Sequence, residues 1–280
     1  MKHSPTVRKR RLAAELKRMR EDAGYTVDAA RRKLQWSAGR LNHMEAGRSR
    51  PDASALRDLM NLYEVTSEAR REAILTLGRQ SKERGWWDTY ADVLPDTYIG
   101  FEAEASAIST FQPIVIPGLL QIEDYAATSA RIALTRSDSD IDRIVAARME
   151  RQAILNRDDG PELHAVISED VLIRLRHSDP VLADRQIRHL IEAAEALNKI
   201  TIQVHPQSAG MYAASFGSMV ILDYADELDP SIVYVETRAE GLYMEDPAQV
   251  GGYRRAFDHV VVDALSKAGS IDLMKKIIDE

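Results

Sequence analysis

The 280-residue chain contains no cysteine. Disulfides, thiolate metal sites and cysteine nucleophiles are therefore excluded. No run approaches the roughly 18 apolar residues of a membrane-spanning helix. The opening MKHSPTVRKRR is basic but lacks the apolar stretch of a secretory signal, so a cytoplasmic, non-membrane protein is expected. The dinucleotide-binding GxGxxG, the phosphate-binding Walker A, HExxH and GxSxG patterns are all missing. The histidines at 3, 43, 164, 177, 189, 205 and 259 do not fall at ligand spacing with carboxylates. His177, Ser178 and Asp179 adjoin in sequence, which is not the geometry of a catalytic triad. Asp158-Asp159 beside Gly160 reads as a solvated turn. No enzyme, metal or cofactor is expected. Internal repeats and low-complexity segments are also missing.

What is present is ordinary in amount and uneven in placement. Hydrophobic residues make up 45% and charged residues 29%, enough for one large domain or two ordinary ones. The net charge is −7, yet residues 1–80 hold 18 Lys/Arg against 10 Asp/Glu, and the remainder holds 19 against 34. That asymmetry suggests a basic module that meets polyanions and an acidic body that does not.

Apolar residues at helical spacing (Val7, Leu12, Leu16, Met19) predict a helix over 6–22, stopped by Gly24. Short helices follow over 27–34 and 37–46, the second capped by Ser37 and ended by Gly47. Two more, after Pro51-Asp52 and over 67–79, complete five helices in residues 1–80. Residues 81–100, with Trp86 and Trp87 as packing anchors, read as an aromatic connector that docks. Residues 101–280 mix both element types. Helices are predicted over 97–109, 121–134, 139–156, 169–175, 180–197, 247–265 and 270–279. Strands are predicted over 161–168, 199–206, 217–224 and 231–238, with a short one at 241–246. The fold class is α+β: an all-α five-helix domain followed by a larger mixed domain with a small, mainly antiparallel sheet.

A basic first helix, two short helices across a tight turn and two more helices form a helix-turn-helix arrangement. LKRMREDAGYTVDAARRKLQWSAGRLNHMEAGRSRPDASALRDLMNLYEV resembles the phage-repressor-like, xenobiotic-response-element family of transcriptional regulators over about residues 10–66. The resemblance rests on Arg20 four before Gly24, on Glu45-x-Gly47-Arg48, on Pro51 and on the apolar framework. It implies binding to a double-stranded DNA operator; because one short recognition helix reads only a few base pairs, a homodimer on half-sites about one turn apart is expected. Arg20 and Glu45 would form a structural ion pair. Ser37, Ala38, Gly39, Arg40, Asn42 and His43 would lie on or beside the base-facing surface, with Arg48 and Arg50 on phosphates. Two departures matter. Val27 stands where the family often has glutamine, and Ala38 and Gly39 cannot donate bidentate hydrogen bonds to bases. Gly39 either lets the helix approach DNA closely or accommodates packing.

FEAEASAISTFQPIVIPGLLQIEDYA, RMERQAIL, SEDVLIRLRHSDPVLADRQIRHLIEAA, ITIQVHP and IVYVE with GLYMED resemble the C-terminal domain of actinobacterial regulators. These include the WhiJ-type developmental regulators of streptomycetes. PGLLQxExYA, residues 117–126, is the most specific part. The domain is expected to dimerise and to sense a small molecule or peptide, a role the aromatic loop over 206–217 favours. The alternative, which the resemblance implies, is an antitoxin-like platform for a small acidic partner protein, with DNA binding for autoregulation. From the residues themselves, Pro117-Gly118 is first a turn. Arg148, Arg151 and Gln152 share a helix and either bind a carboxylate or pair with Glu150 or a neighbouring domain. The loop over 206–217, with Tyr212 and Phe216, is either a lid or a plain connection. Tyr234, Glu236 and Tyr243 are candidate pocket residues, and a buried Glu236 would need a partner.

Overall fold

The computed structural model describes residues 5–280 except 83–85, 91, 94–95, 134–136, 197, 211–216, 227–228 and 238–240, and except the side chains of 5, 6, 38, 88, 96 and 133. The chain divides into two compact units, Met1–Asp88 and Thr89–Glu280.

The first unit contains five helices among its described residues: α1 Pro5–Asp22, α2 Val27–Lys33, α3 Ala38–Glu45, α4 Ala53–Leu62 and α5 Glu68–Gln80. Helices this short are marginal alone and depend on a shared apolar core. Leu12, Leu16, Leu41, Leu56, Leu59 and Met60 are all buried in it. Gly78 of α5 lets α4 approach, since a β-carbon there would meet Leu56 Cδ1 at 2.5 Å. Side-chain caps start α2, α4 and α5, from Thr26, Asp52 and Ser67. Four ends close the same way, with a backbone N–H reaching back five residues: Tyr25 to Arg20, Trp36 to Arg31, Arg48 to His43 and Val65 to Met60. The residue before each of these donors is left-handed. It is glycine at Gly24 and Gly47, but Gln35 (φ 55°) and Glu64 (φ 52°) at the other two.

The second unit is α+β. Its sheet has strands β1 Ala107–Gln112, β2 Glu162–Ser168, β3 Ile200–His205, β4 Met219–Asp223, β5 Ile232–Glu236 and β6 Gly241–Met244. Their order is β3-β2-β1-β4-β5-β6. β1, β2 and β3 run parallel, while the β1–β4, β4–β5 and β5–β6 pairs are antiparallel. The late meander is therefore β4-β5-β6. The strand predicted over 199–206 belongs instead to the far edge of the sheet. Its backbone is covered there: Ser270 Oγ accepts from Val204 N (2.9 Å), and Leu265 N donates to Val204 O (2.9 Å).

Helices of this unit are α6 Asp96–Glu102, α7 Glu123–Ala133, α8 Asp138–Gln152, α9 Glu169–Ser178, α10 Pro180–Ala196, α11 Pro247–Asp263 and α12 Lys267–Asp279. α11 covers one face, where Phe257 and Val260 pack with Phe111, Val166, Ile221 and Val233. The opposite face, with Ile108, Leu163, Val220 and Tyr234, looks toward α6 and α8. The helix predicted over 97–109 is two elements. α6 ends at Glu102, and the residues from Ala107 form β1 at the centre of the sheet. Tyr90 and Val93 pack on α7 and α8. Arg143 adds bonds to the Asp92 carboxylate and to Thr89 O (2.9 Å). Trp87 is buried, and its ring meets Trp86 edge-on at 5.9 Å. Among the described residues no helix is long and apolar enough to cross a membrane.

Candidate functional site

α3 is held from behind by three side chains. Leu41 and Met44 enter the core, and Glu45 meets Arg20. The Arg20–Glu45 pair is bidentate, Nε to Oε1 at 2.8 Å and Nη2 to Oε2 at 3.0 Å. Arg20 Nη1 also donates to Tyr25 O at 2.8 Å, so one guanidinium ties α1, the following turn and α3. The Glu45 hydrogen bond raises the Arg20 pKa above its ordinary value. Burial, followed by the nearby Glu45 charge, raises that of Tyr63.

With that side anchored, Gly39, Arg40, Asn42 and His43 take up the opposite side, where the last three are exposed. Arg40 stacks on the Trp36 ring at 4.1 Å, which restrains a long side chain before any partner arrives. Ser37 occupies the N-cap position, but its hydroxyl makes no capping bond, contrary to expectation. Ala38 opens the helix; its side chain is outside the described part. A β-carbon on Gly39 would lie 3.7 Å from His43 Cε1, an ordinary contact, so packing within the protein does not require glycine there. Arg48 and Arg50 are both exposed after the Gly47 turn. Val27, at the departure from the family pattern, packs against the core edge.

In the second unit the PGLLQ turn is a short 3-10 segment, Gly118–Leu120, with buried leucines. Buried backbone must find partners. Here glutamine amides supply them. Gln121 Nε2 donates to Ile116 O (2.8 Å), Gln152 Nε2 to Gly118 O (3.1 Å) and Gln121 O (2.6 Å), and Gln186 Nε2 to Leu120 O (2.8 Å). Tyr125 Oη accepts from Ile116 N (3.1 Å). A β-carbon on Gly118 would stand 3.2 Å from Arg151 Nη1, so glycine admits the guanidinium.

This locked turn walls a cavity of about 300 Å³ between α6, α8 and the sheet. Tyr234 and Glu236 line it, but Tyr243 does not. Tyr243 supports it instead, its ring tilted against Tyr234 (5.1 Å) and edge-on to Phe101 (5.5 Å). Glu236 is exposed, so the requirement for a buried partner does not arise. Tyr212 and Phe216 lie outside the described residues. Sequence reasoning missed Glu102, a carboxylate 1% exposed that binds Arg151 through both oxygens and accepts from Tyr98 Oη (2.8 Å). A lone acid at the end of YIGFE was the available signal. Burial, and next the Glu102 charge, push the Tyr98 pKa well up. A larger depression of about 740 Å³ between α7, α8 and α10 is open, and Arg185 and Asp124 pair in its lining.

The first unit thus has the form of a helix-turn-helix DNA-binding domain, and the second is an α+β body with a cavity on one sheet face. Residues 11–74 match the family described as "Helix-turn-helix domain". Residues 95–276 match the "Domain of unknown function (DUF5753)", and the chain belongs to that family. No curated protein and no solved structure matches the chain.

Proposed function

We propose that the protein is a sequence-specific transcriptional regulator that reads an operator as a homodimer and responds to a small ligand held by its C-terminal body. The observation that carries the DNA reading is the two-sided build of α3. One side is fixed by Leu41, Met44 and the Arg20–Glu45 pair, and the other presents Arg40, Asn42 and His43. A recognition helix enters the major groove through its N-terminal residues. Ser37, Ala38 and Gly39 therefore approach DNA first, Arg40, Asn42 and His43 read base edges, and Arg48 and Arg50 clamp phosphates. The +8 charge of residues 1–80 supports contact with a polyanion. One eight-residue helix reads few base pairs, and two half-sites about 34–36 Å apart supply the missing specificity. The cavity of the body supports a ligand as the effector.

The test is binding-site selection at two salt concentrations. Arg40→Ala or Asn42→Ala relaxes sequence preference, with about 1–3 kcal/mol lost per bidentate contact. Arg48→Ala weakens binding to every sequence alike and flattens the salt dependence. Equal behaviour of the two classes would sink the assignment.

A further inference from the structure

Arg148 is anomalous among the interior cations of the body. Its neighbour Arg151, one turn along α8, is neutralised by the buried Glu102 carboxylate. Arg148 has one hydrogen bond, from Nη1 to the neutral Gln121 Oε1 at 2.8 Å. Among the described residues no carboxylate stands within ion-pairing distance of it. Guanidinium carries five N–H donors, so four remain uncommitted. Burial, and after it the like charge of Arg151, lower the Arg148 pKa from its ordinary value, and Glu236 only partly offsets them. An arginine still stays cationic in proteins, and the remaining N–H groups of this part-buried side chain are left to water or to a ligand in the cavity it lines.

The surroundings are those of a receptor rather than of an ion pair awaiting water. Arg148 lines the 300 Å³ cavity together with Ile108, Val220 and Tyr234, a size at the small end of ligand sites. Its position is set by Gln121, whose own amide is fixed on Ile116 O. Ser129 adds a hydroxyl to the same wall. The charge balance is selective. Glu102 and Arg151 cancel as a pair in contact, which leaves Arg148 as the cation with free donors and Glu236 as a carboxylate of the lining unpaired among the described residues, so the four charges balance. Glu236 stands in the lining and opposes a second negative charge.

We propose that this cavity binds a small organic monocarboxylate. Its carboxylate lies on Arg148, and its apolar body lies against Tyr234, Ile108 and Val220. The proposal deepens the ligand-response reading, but binding in the cavity stands whether or not DNA affinity follows it.

The experiment uses the full-length protein and isothermal titration with phenylacetate, hexanoate, phenylacetamide and inorganic phosphate. Phenylacetate or hexanoate should bind, while the amide and phosphate should bind at least about tenfold more weakly. Arg148→Gln should weaken carboxylate binding by at least about tenfold, with circular dichroism reporting its fold. Should that variant fail to fold, Val220→Trp fills the cavity from the sheet side and must abolish binding instead. Absence of binding by both carboxylates, equal binding of the amide, preference for phosphate, or unchanged affinity in a folded Arg148→Gln or Val220→Trp overturns the proposal. An operator-shift assay run beside it keeps the two readings apart. Carboxylate binding without any change at DNA removes the ligand-response reading and leaves the receptor.

Discussion

At the scale of single residues, Gly39 separates two explanations that sequence left open. Within the protein a β-carbon at this position would meet only the His43 ring, at an ordinary distance. Gly39→Ala should therefore stabilise the free protein, by up to the roughly 0.5–1 kcal/mol gained in a helix interior, since Gly39 lies in the first turn of α3. If α3 sits close to DNA, the same change lowers operator affinity. A melt and a binding curve on one variant check both, and a loss of thermal stability would restore packing as the reason for glycine. Tyr63 gives a second test. Its hydroxyl is buried without a hydrogen-bond partner among the described residues, near the Arg20–Glu45 pair. Tyr63→Phe should thus be neutral or stabilising by up to about 1 kcal/mol. Glu45→Gln should cost more than the roughly 0.2–1 kcal/mol of an exposed pair, because both side chains are about 90% covered. Chemical denaturation of the three proteins orders them. The ion pair was legible because the family resemblance implies it, through the matching positions of Arg20 before Gly24 and Glu45 before Gly47. Glu102 was not, because its partner Arg151 lies 49 residues away.

At the scale of elements, legibility followed periodicity. The helices of the first unit carry clear apolar faces and glycine stops, and they appear within a residue or two of expectation. β1 did not, because FEAEASAISTFQ is rich in Ala and Glu up to the point where the strand starts. Only its pairing on both sides, parallel with β2 and antiparallel with β4, makes it a strand. Tertiary context outweighed local propensity there. The PGLLQ turn was recognisable, but its function as a wall depends on Gln152 and Gln186 from two other helices. Helix ends offer a further prediction. Glu64 adopts a left-handed conformation at the end of α4, where Gly24 and Gly47 serve elsewhere. Glu64→Gly relieves that strain and should stabilise the first unit by about 1 kcal/mol. Gln35→Gly should do the same in the turn ahead of α3. A lowered melting temperature in both would show that the side chains contribute more than the strain costs.

At the scale of the whole molecule, the two units divide charge and core between them. The first has its own buried cluster, and residues 1–80 carry the positive excess. A fragment of residues 1–88 should fold and still contact DNA, and under the proposed homodimer, with the body pairing two copies, its affinity should be sharply reduced. Fluorescence anisotropy with full-length chain as reference measures this, and equal affinity would remove the body from dimerisation. The central place of β1 has a different consequence, in time rather than in space. Its antiparallel partner arrives 109 residues later in the chain, at the Thr110–Met219 bond. Contacts of such separation close slowly, whereas the helical unit closes within residues 5–80, its first helix packing on its fifth. At translation speeds of about 5–20 residues per second, the first unit is complete on the order of ten seconds before β4 leaves the ribosome. Throughout that interval the nascent chain carries a finished basic domain joined to an unclosed sheet with apolar edges. Substitutions that slow the docking of β4 therefore act on how much protein accumulates, before any operator or ligand is met.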